Sequence, residues 1–108
     1  MQKIYRIQSR NYGEYDAKGY SLENLDNRLA DRTPFVVSKD SKAKGNPNKS
    51  FNEGPYKNLR DCLISEGILK KIIGGSSYEF TRDYEFSNPS AAASVVTGQS
   101  RSGKFWAQ

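Results

Sequence analysis

The stretch Tyr84-Glu85-Phe86-Ser87-Asn88-Pro89-Ser90-Ala91-Ala92-Ala93-Ser94-Val95-Val96-Thr97-Gly98 leaves the chain few choices. An aromatic strand ends at Phe86, and Asn88-Pro89 is an N-cap/N1 pair, since proline lacks the N–H that the first helical turn cannot use. Ser90 to Thr97 then fits three turns, closed by Gly98. Three alanines in its first two turns let this helix come close to whatever covers it: a sheet, another helix or a ligand. The open N–H groups of Ser90 to Ala92, beside the Ser90 hydroxyl, form a potential anion site, and simple packing is the competing explanation.

The remaining elements follow from local pattern. Ile4 to Gln8 has strand composition, and Glu14 to Tyr20 forms a second strand ending near Gly19. Leu22, Leu25 and Leu29 predict two turns of helix with Ser21 as N-cap. Phe35-Val36-Val37 reads as a buried central strand. Residues 39–54 (KDSKAKGNPNKSFNEG) carry Gly, Pro, Asn and Ser throughout and predict a loop. Pro55 opens a helix whose apolar face is Tyr56, Leu59, Cys62 and Leu63, stopped by Gly67. Ile68 to Ile73 and Ser76 to Thr81 flank Gly74-Gly75 as a hairpin. A Ser-Arg-Ser-Gly turn and a short strand carrying Phe105 and Trp106 end the sequence. The expected architecture is α+β: a small, mainly antiparallel sheet of about five strands with two or three packed helices, in one domain over 1–108.

Composition removes much chemistry. With one cysteine (Cys62) and no histidine in 108 residues, an internal disulfide, Cys/His metal sites and histidine acid–base catalysis are excluded. We expect no cofactor and no metal. No apolar run approaches the roughly 18 residues of a membrane span, and residues 1–6 lead into polar sequence without the apolar region of a signal peptide; we expect a cytoplasmic protein. Asp16-Ala17-Lys18 imitates half of a nuclease core but lacks an upstream acidic ligand. Gly98 to Lys104 has Walker-like spacing but Phe105 stands where Ser or Thr is required. We expect no enzyme activity and no catalytic residues.

Seventeen basic against twelve acidic residues give a net charge of +5. The excess is concentrated: residues 39–60 hold Lys39, Lys42, Lys44, Lys49, Lys57 and Arg60 against Asp40 and Glu53, and Arg101 and Lys104 follow the last helix with no acid nearby. Such a field draws polyanions, because phosphate neutralisation releases condensed counterions. A solvated lysine loop is the plainer alternative. The expected phosphate contacts are Lys39, Lys42, Lys44, Lys49, Lys57 and Arg60. A second contact is expected at Ser90, Arg101 and Lys104, with Tyr56, Phe105 and Trp106 as stacking groups. For Trp106 a core anchor in the short terminal strand is the preferred reading.

The segment FTRDYEFSNPSAAASVVTGQSRSGKFW resembles the signature of the uncharacterised domain family 4357 (a domain of unknown function). The matching positions include Phe80, Asp83, Tyr84, Phe86, Pro89, Ser90, Ala91 to Ala93, Val95, Val96, Gly98, Gly103 and Trp106. Asp16-Ala17-Lys18-Gly19, Phe35 to Ala43 and Leu59 to Leu69 resemble further family segments, so the likeness spans about 14–106. Asp40 stands where the family usually has glycine, Asn88 replaces a usual Ser, Ser102 a usual Asn, and Leu22–Leu29 looks like an insertion. The resemblance implies an accessory domain of the kind found C-terminal to GIY-YIG-type nucleases, related to the RAMA domain of restriction and adenine-methylation systems. No GIY-YIG module is present in this sequence. The expected function is a non-enzymatic nucleic-acid-binding module, DNA over RNA, extending to modified DNA in a restriction or nuclease context. The alternative is a protein-interaction or regulatory module, such as a phage- or plasmid-type modulator of a defence system, with a face at Tyr12, Tyr15, Tyr20 and the leucine insertion.

Overall fold

The computed structural model describes residues 4–9, 14–22 and 33–107. Their elements run, in chain order, β1 (Tyr5–Gln8), β2 (Asp16–Ser21), β3 (Phe35–Val37), β4 (Lys42–Ala43), α1 (Lys49–Asn52), α2 (Lys57–Ser65), β5 (Leu69–Lys71), β6 (Tyr78–Phe80), β7 (Tyr84–Phe86), α3 (Pro89–Thr97) and a 3-10 turn at Gly103–Phe105. All strand pairings are antiparallel. The fold is α+β, as the sequence predicts. No helix of the described residues is long and apolar enough to cross a membrane. The helix expected over Leu22–Leu29 falls mostly outside the described residues; Ser21, its expected cap, is the last residue of β2.

Seven strands occupy five positions. Phe35 pairs with Phe86 and Ala43 with Tyr78, so β3–β4 and β7–β6 are two long strands that keep one register across their breaks. On the other side, β2 meets β3 at Gly19↔Val37 but β4 at Asp16↔Lys42, a slip of two residues that marks a bulge at 38–41. Asp40 takes φ 73° there. Side chains replace the lost ladder bonds: the Lys39 N–H donates to Asp83 Oδ1 (2.7 Å) and the Lys18 N–H to Ser41 Oγ (3.1 Å).

Residues 39–54 are therefore not wholly loop. Ala43 is fully buried and Phe51 is 2% exposed, and burying these two apolar side chains draws β4 into the sheet and α1 onto the core.

The period-2 alternation puts Tyr5, Ile7, Ala17, Phe35, Val37, Phe80 and Phe86 on one sheet face, against α3. Along this helix Ala91 to Thr97 are all buried, the pattern of a helix enclosed on every side. Asn88 Oδ1 accepts from the Ala91 N–H (2.7 Å), and Gly98 ends the helix in the left-handed region at φ 67°. In β2, a Cβ on Gly19 would lie 2.4 Å from the Phe35 ring, so only glycine admits Phe35 beneath the strand. The C-terminal strand expected around Phe105 and Trp106 is instead the 3-10 turn followed by a single bridge, Ala107 to Arg6.

α2 corrects a second expectation. Its buried residues are Leu63 and Arg60, whereas Cys62 is exposed. Tyr56, Arg60 and Leu63 recur at i, i+4 and i+7, which turns Cys62 off the packed face. The Arg60 guanidinium donates to the Val95 carbonyl (2.9 Å) and to the Lys44 carbonyl, and lies 5.4 Å from the Tyr78 ring centroid. It thus ties the last turn of α3 to the strand end beyond β4. Burial pulls this guanidinium below the ordinary arginine pKa, with Tyr78 and Asp61 opposing the shift.

Replacing Arg60 by methionine keeps the apolar stem but strands two buried carbonyls. We expect Arg60→Met to lose about 2–4 kcal/mol in urea unfolding. Lys57→Met, three residues earlier on the surface, should change stability by less than about 1 kcal/mol.

Candidate nucleic-acid interface

The sheet face opposite α3 carries the other half of each strand's alternation. Directly opposed residues point to the same side, so Gln8, Asp16, Lys42, Glu79 and Lys70 form one row across the strands. Charge alternates along that row. The basic excess lies toward the β1–β2–β4 side, where Arg6 opposes Lys18 and where Lys39 and Asp40 project from the bulge. Arg6, Asp16, Lys18, Ser38, Lys39, Asp40 and Ser41 line a shallow recess of about 270 Å³ there.

Asp16 sits at the centre of these cations. Arg6 grips it with two parallel bonds, Nε to Oδ1 (2.9 Å) and Nη2 to Oδ2 (2.8 Å). That hydrogen bonding holds the Asp16 carboxyl below the usual aspartate range, with Arg6, Lys18 and Lys42 adding charge attraction against partial burial. The same contact raises the Arg6 guanidinium. Arg6 also borders a second, larger recess of about 720 Å³ between the outer edge of β1, the end of α3 and the C-terminal turn. There Tyr15, Arg101 and Phe105 contribute, with the Arg101 guanidinium 4.4 Å from the Phe105 ring centroid. Because Arg6 lines both recesses, they join into one strip running from Lys39 and Lys18 through Arg6 to Arg101 and Phe105.

The sequence-predicted contacts divide accordingly. Lys39 and Lys42 are exposed on this face, and Arg101 and the exposed Lys104 and Phe105 stand at its C-terminal end. Lys44, Lys49 and Lys57 do not join them. Lys44 leads off the strand end beside Gly98, with its ammonium donating to Asn48 Oδ1 (3.3 Å), while Lys49 and Lys57 lie on the helices and pair with Glu53 (3.9 Å) and Asp61 (2.7 Å). Arg60, expected at a phosphate, is 2% exposed and holds α3 in place. The expected anion site at Ser90 is closed, because Asn88 caps Ala91 and Ser90 Oγ accepts from the Gly103 N–H (3.0 Å). Trp106 is the core anchor: 5% exposed, 4.6 Å from Phe35, its indole N–H donating to the Pro89 carbonyl (3.1 Å). Of the alternative tyrosine face, Tyr12 lies outside the described residues, and Tyr15 and Tyr20 are half-buried.

Arg6 and Lys18 escape the sequence reading because residues 1–38 are nearly neutral overall. The signal was present in another form: Arg6/Gln8 and Asp16/Lys18 are the polar members of two alternating strands, and antiparallel pairing sets them side by side.

The fold and its surface describe a small antiparallel α+β domain built around an enclosed alanine-rich helix, with a mixed-charge open face that becomes basic at one edge. The chain belongs to the domain of unknown function DUF4357, whose family pattern matches residues 17–107. No curated protein and no solved structure matches it. The matched span begins at Ala17, so Arg6, Tyr15 and Asp16 come from outside it.

Two outcomes follow. The Asp16 carboxyl should titrate below the ordinary range near pH 3.9 in carbon-detected NMR, and Arg6→Gln should return its midpoint toward that range. A depressed carboxyl stabilises the fold at neutral pH, and its contribution is lost as pH falls through the depressed value. Asp40→Gly should leave stability unchanged or raise it by up to about 1 kcal/mol in urea, since glycine adopts positive φ freely but has a more flexible unfolded chain.

Proposed function

We propose that this domain is a non-enzymatic nucleic-acid-binding module that takes DNA in preference to RNA, acting as an accessory to a nuclease or restriction system. The observation that carries the reading is the continuity of the strip. Lys18 and Lys42 add their charge around the Asp16 carboxylate already claimed by Arg6, Lys39 borders the same recess beside Asp40, and the same arginine opens onto a recess with a stacked Arg101–Phe105 pair. Cations of this kind contact successive phosphates, and aromatic faces beside them suit bases. The helical surface is the poorer candidate, because Lys49 and Lys57 each have a carboxylate in the same helical stretch and Arg60 is enclosed.

Fluorescence anisotropy with duplex and single-stranded DNA, starting at about 50 mM salt, tests this reading. Wild type should bind with a steep negative slope of log K against log salt. The combined Lys18→Ala, Lys39→Ala, Lys42→Ala variant should lower the magnitude of that slope by about 2–3 on duplex DNA. Lys49→Ala with Lys57→Ala should leave it unchanged. Absence of binding by wild type at low salt, or equal losses in the two variants, would refute the interface.

A further inference from the structure

We infer that the larger recess beside β1 is a site for one unstacked nucleotide, with Arg101 receiving its phosphate and the Phe105–Tyr15 surface receiving its base. This deepens the nucleic-acid reading and rests on it for the biological ligand. The recess has its own geometry, however, and can be tested separately.

The first observation is an unmatched donor. Among the described residues, Arg101 Nε is the one buried side-chain polar atom without a hydrogen-bond partner. A buried N–H left unpaired forfeits its hydration without compensation, so such a group calls for an explanation. Its backbone is firmly placed: the Arg101 N–H donates to Ser94 Oγ (3.0 Å), the Ser94 hydroxyl donates to the Arg101 carbonyl (3.2 Å), and Ser94 is 1% exposed. Phe105, 4.4 Å away, covers one face of the guanidinium and orients its plane. Arg6, the other cation of the recess among the described residues, is committed to Asp16. Arg101 is thus the cation available to a ligand, and its planar fork matches two oxygens of a phosphate.

The second observation is size and lining. About 720 Å³ is far more than a lone phosphate requires and falls within the range of about 300–1,000 Å³ typical of small-molecule sites. Phe105 is 50% exposed and Tyr15 half-buried, which leaves aromatic surface for a base. Gln8 and Gln99 bring amides that both donate and accept, as a base edge does. Glu14, the single carboxylate of the recess among the described residues, disfavours a second phosphate close by. A stacked duplex cannot present a base to such a cavity, so the occupant is a nucleotide of a single strand, of a strand end, or one turned out of the helix. The Nε–H is shielded from solvent.

The experiment titrates the full chain with deoxynucleoside 5′-monophosphates and, in parallel, with inorganic phosphate, following the Arg101 Nε–H and the Phe105 ring by NMR. Amide dispersion verifies the fold of each variant. Saturable shifts at both groups are expected with nucleotide, with phosphate alone at least about tenfold weaker. Arg101→Lys, which keeps the charge but loses the fork, should weaken nucleotide binding about tenfold, and Phe105→Ala should narrow the gap between nucleotide and phosphate. The Lys18→Ala, Lys39→Ala, Lys42→Ala variant should bind the mononucleotide as wild type does. Absence of saturation, equal affinity for inorganic phosphate, or an unaltered affinity in Arg101→Lys would overturn the site. Nucleotide binding by a wild type that ignores DNA would refute the interface and uphold the recess; DNA binding with no nucleotide response would do the reverse.

Discussion

Enclosure of α3 is the constraint on which the rest of the molecule depends. A helix buried along Ala91 to Thr97 must have partners on all sides, and each neighbouring element supplies one. The sheet covers one side, and the alanines permit close approach. Arg60 reaches the carbonyl of Val95, the Lys44 N–H donates to Val96, and the Asn48 N–H donates to Gly98. Gly103 and Trp106 close the opposite end. Because polar groups of an enclosed helix cannot turn to water, these hydrogen bonds are requirements of the packing rather than additions to it.

The same constraint decides which charges are free. Arg60 is withdrawn from the basic segment because α3 needs a donor there, and Lys49 and Lys57 balance nearby acids. What remains is set by strand alternation: once Tyr5, Ile7 and Ala17 face inward, Arg6 and Lys18 must face outward together. Surface charge in this domain is therefore ordered by the pleat more than by the density of lysines along the chain.

Much of the fold was legible in the residues. Asn88-Pro89 and Gly98 mark the ends of α3, Gly67 ends α2 in the left-handed region, and the Phe35-Val36-Val37 run occupies the sheet interior. Most of the errors share a physical cause. Ala43, Phe51 and Arg60 sit in a polar stretch whose local pattern predicts solvent, and only tertiary burial shows otherwise. Cys62 failed for the opposite reason, since a one-position rotation of a helix face cannot be read from two turns. For the proposed interface, Lys39, Lys42 and Arg101 were readable in the sequence as cations. Arg6 and the recess beside it were not, because they arise from residues almost a hundred positions apart, joined by the Arg6–Ala107 bridge.

That bridge has a topological consequence. The Arg6 N–H donates to the Ala107 carbonyl and the Ala107 N–H returns to Arg6 (2.6 and 2.9 Å), which brings the two ends of the described chain side by side. A few residues of linker would close the polypeptide into a ring. New ends opened in the exposed 73–76 segment, where Ile73 is 98% exposed, would cut no contact of the central helix. A circular permutant of this design would move the point of attachment for a fused domain from the β1 edge of the sheet to its β5 edge.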